Sequence, residues 1–297
     1  MDAFTTRRGL MSFRGGVLMV FAMALLHVTG CEKLLVIPDT ALPWNEALAQ
    51  VFGATVNQIT LDAKHALLMK HVRDGWQHPV ENPYFLVGVL GCALWTVAYG
   101  FFIHRGIRDR AHSLPMLAIC LNISWEAMAI AVLPNPVIAW TILEWSWLLI
   151  DIGLLAILWK YGARNMKVPE IRARFHPIVV TLVVACLIFQ LSFVLMFGDM
   201  LGFIVAFVIN LVMSVLFVFL YFERRDDLRG LSYPGAWLKM LGTACTSIQC
   251  ANLLPLLRPD IPSWHFMLVL YVGIFLFDAL YVWLLWGARR RISQGVR

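Results

Sequence analysis

The chain has 297 residues, of which 60% are hydrophobic and only 14% charged. That balance excludes an ordinary soluble globular domain and matches a polypeptide with several membrane spans. The net charge of +6 comes with no sequence resembling a nucleic-acid-binding module, so it reads as a membrane-orientation signal and not as a nucleic-acid footprint.

Residues 1–30 begin with Arg7, Arg8 and Arg14, continue through the apolar stretch 17–28 and end at Thr29-Gly30-Cys31. This is the layout of a bacterial signal segment, with Val28-Thr29-Gly30-Cys31 as a short lipobox-like string, or of an uncleaved extra spanning helix. Both readings stay open. Residues 31–83 form an outside segment whose middle, 44–72, carries apolar residues at helical spacing around Asp62, Lys64, Lys70 and Arg73. An interfacial amphipathic helix is expected there, as a lid over the bundle mouth or a plain tether.

Seven apolar stretches then follow, each about long enough to cross a bilayer: 84–104, 113–133, 137–160, 176–197, 201–221, 234–257 and 264–287. The expected fold is all-α, a polytopic seven-helix bundle over 84–291 preceded by the signal or anchor segment and followed by a short tail, 292–297. Arg105, Arg108, Arg110, Lys160, Arg164, Lys167, Arg172, Arg174, Arg224, Arg225, Arg229, Lys239, Arg289, Arg290, Arg291 and Arg297 fall on the side of the C-terminus, whereas Lys33, Lys64, Lys70, Arg73 and Arg258 fall on the other. Basic residues are retained in the cytoplasm during insertion, which predicts a cytoplasmic C-terminus in a bacterial inner membrane.

Polar groups inside the spans carry the chemical interest. Glu126 and Asp278 lie mid-span among aromatic and aliphatic residues, with no cation near them in sequence. An ionised side chain is costly there, and such surroundings favour the neutral, proton-donating acid. Counting along the helices puts Glu126 level with Glu144, and Asp151 level with Asp278 about 10 Å deeper, with no Lys or Arg at either depth. Glu144 reads as a protonated acid satisfied by a neighbouring helix or reaching the headgroups, Asp151 either as such an acid or as one that fixes Glu126 or Asp278 through a hydrogen bond, and Asp199 as a solvated loop acid. Gln190, Asn210, Thr243, Ser247, Gln249 and Asn252 line a cavity or join helices by hydrogen bonds, and each is read first as glue between helices. Cys92, Cys120, Cys186, Cys245 and Cys250 read as small packing residues.

Aromatic residues within the spans, among them Trp125, Trp140, Trp145, Trp147, Phe189, Phe193, Tyr281 and Trp283, pack the core or wall a pocket for a greasy ligand. The sequence contains no Gly-rich phosphate loop, serine elbow, His-Glu-Xaa-Xaa-His or Cys-Xaa-Xaa-Cys. Asp226 and Asp227 sit among arginines at the cytoplasmic surface, and His104, His112 and His176 share no helix face. No metal site and no cofactor are expected.

The string Asn122-Ile-Ser-Trp125-Glu126 is similar to the Asn-Xaa-Xaa-Trp-Glu signature of the small integral-membrane terpene cyclases of meroterpenoid and indole-diterpene biosynthesis. Asp278-Ala-Leu-Tyr281 resembles the Asp-Xaa-Xaa-Tyr of that family's last helix, and Asp151-Ile-Gly153, Lys160-Tyr-Gly162 and residues 232–246 are weaker likenesses. The resemblance covers residues 84–290. It implies that Glu126 and Asp278 carry acid catalysis, with Asp278 favoured as the donor or its close partner and Glu126 as the other member, that Asn122, Trp125, Asp151 and Tyr281 contact or frame the substrate, and that the reaction protonates an epoxide or alkene of a prenylated molecule and steers the resulting cation through ring closure. It further implies a hydrophobic small-molecule substrate and the lipid bilayer as partners, without cofactor, nucleic acid or obligatory protein partner. The rival class is a seven-helix transporter or sensor whose buried acids relay protons or bind a ligand.

Overall fold

The computed structural model describes residues 66–67, 70–75, 77–133, 138–199, 201–259 and 261–293. The signal or anchor segment, Cys31, most of the outside segment and residues 294–297 lie outside the described residues. Among the described residues there are seven long helices: α1 Pro83–Asp109, α2 Met116–Ala131, α3 Ile138–Asn165, α4 Phe175–Phe197, α5 Phe203–Arg224, α6 Tyr233–Leu257 and α7 His265–Ser293, with a five-residue turn of helix, Pro169–Ala173, before α4. All but α2 are long and apolar enough to cross a membrane, so the protein is a polytopic membrane bundle.

The 16-residue α2 is shorter than the expected span 113–133. Pro115 at its N-cap and Pro134 in the sequence beyond its end cannot donate backbone hydrogen bonds, and so bound it closely. It is also the most enclosed helix, packed on α3, α4 and α5. Conversely, α1, α3 and α7 run past their apolar stretches and carry Arg108, Arg164, Arg290 and Arg291 in their last turns. Cations near a helix C-terminus complement the exposed carbonyls there, so the helix continues where the hydrophobic signal stops.

The helices close into a ring in the order α1, α6, α7, α5, α2, α3 and back to α1, with α4 outside it against α2. Small residues make the closest seam, between α1 and α6: a Cβ added to Gly91 would meet Thr246 Cγ2 at 2.7 Å and the Gly242 carbonyl oxygen at 2.9 Å. On the other side of α2, Ser124 Oγ donates to Val183 O (2.9 Å) and Gln190 Nε2 donates to Leu121 O (3.0 Å), tying α4 to α2. Gln190 is thus glue, as expected.

Two turn residues fix the ends of helices. Ser232 Oγ accepts from Gly235 N (3.2 Å) to cap α6. Asp199 is not the solvated acid its sequence context suggested: it is 4% exposed, and its Oδ2 accepts from Val205 N (2.8 Å) at the start of α5. The unpaired amides at a helix start give a buried carboxylate the donors that water would otherwise supply.

Candidate active site

Inside the ring is a cavity of about 170 Å³. Its wall comes from five helices: Cys92, Trp95 and Tyr99 of α1, Asn122, Trp125 and Glu126 of α2, Trp140 and Trp147 of α3, Phe203, Phe207, Asn210 and Met213 among others of α5, and Thr246, Gln249, Cys250 and Leu253 of α6. Four Trp and two Phe side chains therefore surround a space with one carboxyl group on its wall. That carboxyl belongs to Glu126, which is 6% exposed and has an Oε2 with no hydrogen-bond partner among the described residues.

The Asn122-Ile-Ser-Trp125-Glu126 string works because α2 turns by 3.6 residues: Asn122 and Glu126, four apart, share the cavity face, while Ser124 points across to α4. Asn122 Nδ2 donates to the Tyr99 hydroxyl (2.6 Å), which leaves the phenolic proton free to donate elsewhere. Trp125 Nε1 donates to Gly202 O (3.3 Å), fixing its ring as wall. Tyr99 escaped sequence reasoning, because a lone Tyr in an apolar helix carries no pattern of its own.

Asp151 and Glu144 on α3 are both electrostatic neighbours of Glu126, and Asp151 and Glu126 both act on Tyr99. Glu144 Oε1 accepts from Trp140 Nε1 (2.6 Å), one turn away on the same helix and not on a neighbouring one. Asp151 is 1% exposed, stands behind the wall, and neither of its oxygens has a hydrogen-bond partner among the described residues. Its expected hydrogen bond to Glu126 or Asp278 is therefore not formed.

Asp278 stands apart from this group and requires a correction. Lys239, counted with the cytoplasmic charges, is instead 1% exposed within α6, and its Nζ donates to both Asp278 oxygens at 2.7 Å. A countercharge thus exists at depth. The lysine stem is long enough to bring an ammonium from near one end of a helix to an acid held deeper on its neighbour. Neither Asp278 nor Tyr281 is among the described residues lining the cavity; Tyr281 is buried behind it, its ring 4.9 Å from that of Phe217.

Of the aromatic residues singled out from sequence, Trp125, Trp140 and Trp147 face the cavity, whereas Trp145, Phe189 and Trp283 are about half exposed on the outer surface of the bundle, where lipid would lie. The described end of the outside segment packs over the far end of the cavity: Val72 joins Leu201, Phe203, Leu253 and Leu257 in one apolar cluster, and two of these, Phe203 and Leu253, also line the cavity. Among the described residues no three His, Cys, Asp or Glu side chains converge as a metal site would need.

The profile of the Pyr4-like transmembrane terpene cyclases matches residues 81–291, the whole ring and α4. Among characterised proteins the chain is 32% identical over 93 residues to the Pyr4-family terpene cyclase mfmH of Annulohypoxylon moriforme, covering 31% of this chain and 38% of that protein. It is 24% identical over 106 residues to the terpene cyclase spyD of Aspergillus fumigatus, covering 36% and 44%. It is 30% identical over 115 residues to the terpene cyclase ascF of Acremonium egyptiacum, covering 37% and 40%. The aligned stretches thus span about two fifths of those fungal relatives, 38% to 44% of their lengths. No solved structure matches the chain significantly.

Proposed function

Because the chain belongs to the Pyr4-like transmembrane terpene cyclases, we propose that it protonates an epoxide or alkene of a prenylated aromatic or indole substrate within the membrane and guides the cation through ring closure. The observation carrying this reading is the lone carboxyl of Glu126 on the wall of an aromatic cavity. Glu126 is the proton donor. Its O–H bond breaks as the proton passes to the epoxide oxygen, the C–O bond opens, and the electron pairs of successive double bonds close C–C bonds. The C–H bond beside the last cation then breaks, its electron pair forms the new double bond and its proton passes to the Glu126 carboxylate, which restores the acid and completes an isomerisation that leaves the atoms of the substrate unchanged in number.

Aromatic faces suit that path, since a cation near an indole or phenyl ring is stabilised while a water molecule would capture it. Trp95, Trp125, Trp140 and Trp147 supply such faces. Asn122 orients Tyr99 next to the donor, Trp125 bounds the substrate, and Asp151 and Tyr281 support the site from behind the wall. Asp278, the second carboxyl, acts from outside the cavity lining as the partner of Lys239. The basic ends of α1, α3 and α7 support a cytoplasmic C-terminus. The bacterial-membrane expectation rests on residues 1–30 alone, and the relatives above are fungal.

The test is turnover. Membranes holding the parent or Glu126→Gln are incubated with farnesylated and geranylgeranylated aromatic compounds and their epoxides, and products are separated by mass and retention. Removing a general acid lowers the rate by roughly 10²–10⁴-fold. Cyclised product formed at the parental rate by Glu126→Gln would sink the proposal.

A further inference from the structure

The Lys239 ammonium is saturated. Its three protons meet Asp278 Oδ1, Asp278 Oδ2 and Ser214 Oγ, each at 2.7 Å, with both charged side chains at most 2% exposed. The same nitrogen stands 5.3 Å from the Trp95 ring centroid and 6.0 Å from that of Phe217, within cation–π range. Trp95 lines the cavity and Lys239 does not, so the indole separates the ammonium from the space where substrate would lie.

Trp95 is held at a second point. Its Nε1 donates to Thr243 Oγ1 (3.1 Å), and Asn210 Nδ2 donates to the same oxygen (3.3 Å). Thr243 is one helical turn from Lys239 on α6, and Asn210 one turn from Ser214 on α5. Two matched pairs of residues, a turn apart on α5 and on α6, therefore meet one ring, at its N–H and at its π cloud.

An ammonium at that place has an electrostatic consequence for any cation on the cavity side of Trp95. Left uncompensated, it would repel the cation and compete for the same π electrons. Paired with a carboxylate that takes two of its protons, it presents a locally neutral group. Both Asp278 oxygens are turned to the Lys239 nitrogen, and the carboxyl is not among the described residues lining the cavity.

Resting on the cyclase reading, we infer that Asp278 is a positioning residue and not a proton donor: it is the counter-ion that neutralises Lys239 behind Trp95, the cation-stabilising wall that Thr243 holds by its indole N–H. Two unit charges about 10 Å apart across the ring, at an effective dielectric of about 20, repel strongly enough to weaken cation binding on the order of tenfold. Removing Asp278 alone exposes that repulsion. Removing both charges abolishes it.

The test uses the full chain in lipid nanodiscs and two probes, N,N-dimethylfarnesylamine in its protonated form and its neutral hydrocarbon isostere. Equilibrium binding is compared for the parent, Asp278→Asn, the double variant Lys239→Met/Asp278→Asn, and Lys239→Gln/Asp278→Asn, which keeps a hydrogen-bonding group toward Ser214. Asp278→Asn is expected to lose affinity for the amine on the order of tenfold with little change for the isostere, and at least one doubly neutral variant is expected to recover both amine binding and turnover. The inference is overturned if Asp278→Asn weakens both probes alike, or if both double variants remain as impaired as Asp278→Asn, which would make the Asp278 carboxyl itself indispensable. A parent that binds neither probe overturns the cyclase reading as well, and so separates the two failures.

Discussion

Gly91→Ala probes the seam on which the cavity depends. A methyl group at that position would sit 2.7 Å from Thr246 Cγ2, 2.9 Å from the Gly242 carbonyl oxygen and 3.0 Å from Thr246 N. Two of those atoms are backbone and the third belongs to a β-branched side chain with a stiff χ1, so no rotamer change relieves the clash. The helices α1 and α6 must separate by several tenths of an ångström. Overpacking of this kind costs about 1–3 kcal/mol, against a gain of about 1 kcal/mol for replacing a glycine inside a helix, leaving a net loss of roughly 1 kcal/mol. Gly287→Ala is the matched control, because nothing lies within 4 Å of its added methyl group. It gains the helix-propensity term alone, up to about 1 kcal/mol. Both variants and the parent are unfolded reversibly by SDS in mixed micelles and followed by circular dichroism. If Gly91→Ala proves as stable as Gly287→Ala, the tight α1–α6 contact is not a real constraint and the reasoning is refuted.

Other consequences can be measured in the same system. Asp199→Ala removes the acceptor for Val205 N at the head of α5 and is expected to cost about 1–2 kcal/mol of stability, read from the SDS midpoint. His112, in the turn between α1 and α2, is 2% exposed and takes hydrogen bonds from Arg224; burial first, and the Arg224 charge second, hold its imidazole well below the usual 6.5. The unfolded chain then binds the extra proton below that value and the folded one does not, so stability rises with pH through the window ending near 6.5 and levels off above it. Unfolding midpoints should therefore fall on going from neutral pH to about pH 5, with His112→Asn showing the smaller fall; equal falls would refute the assignment. In the turnover assay, Tyr99→Phe retains the ring and removes the hydroxyl beside Glu126; a rate drop with substrate affinity unchanged is expected, and a fully active variant would show that the phenol plays no part.

The spans were legible because lipid imposes a simple rule: about 20 apolar residues, with charges excluded to the ends. The helix ends were read less well for a reason specific to each. The last turns of α1, α3 and α7 are basic, so a hydrophobic count stops short of them, while α2 is bounded by prolines inside an apolar stretch. The Glu126 site was visible in one helix, since Asn122, Trp125 and Glu126 lie within five consecutive residues and α2 presents them to one cavity. The Lys239–Asp278 pair was not, because its members are 39 residues apart on different helices and a lysine near a helix start looks like an orientation charge. One signal was available: Lys239 lies six residues inside α6, within reach of an acid one turn or so deeper when its stem extends. Asp199 was misread because sequence gives a turn residue no depth, and only the start of α5 reveals the amides waiting for it.

The ring closes through its first and sixth members, with α1 laid against α6 along the Gly91 and Gly242 seam. During synthesis, then, the earliest span of the bundle enters the bilayer long before its partner has left the ribosome. Until α6 arrives, the Trp95 indole N–H lacks Thr243, and the notch at Gly91 lies open to acyl chains or to the insertion machinery. The pocket is consequently a late product of assembly, and a chain interrupted before α6 would possess Glu126 but no chamber around it.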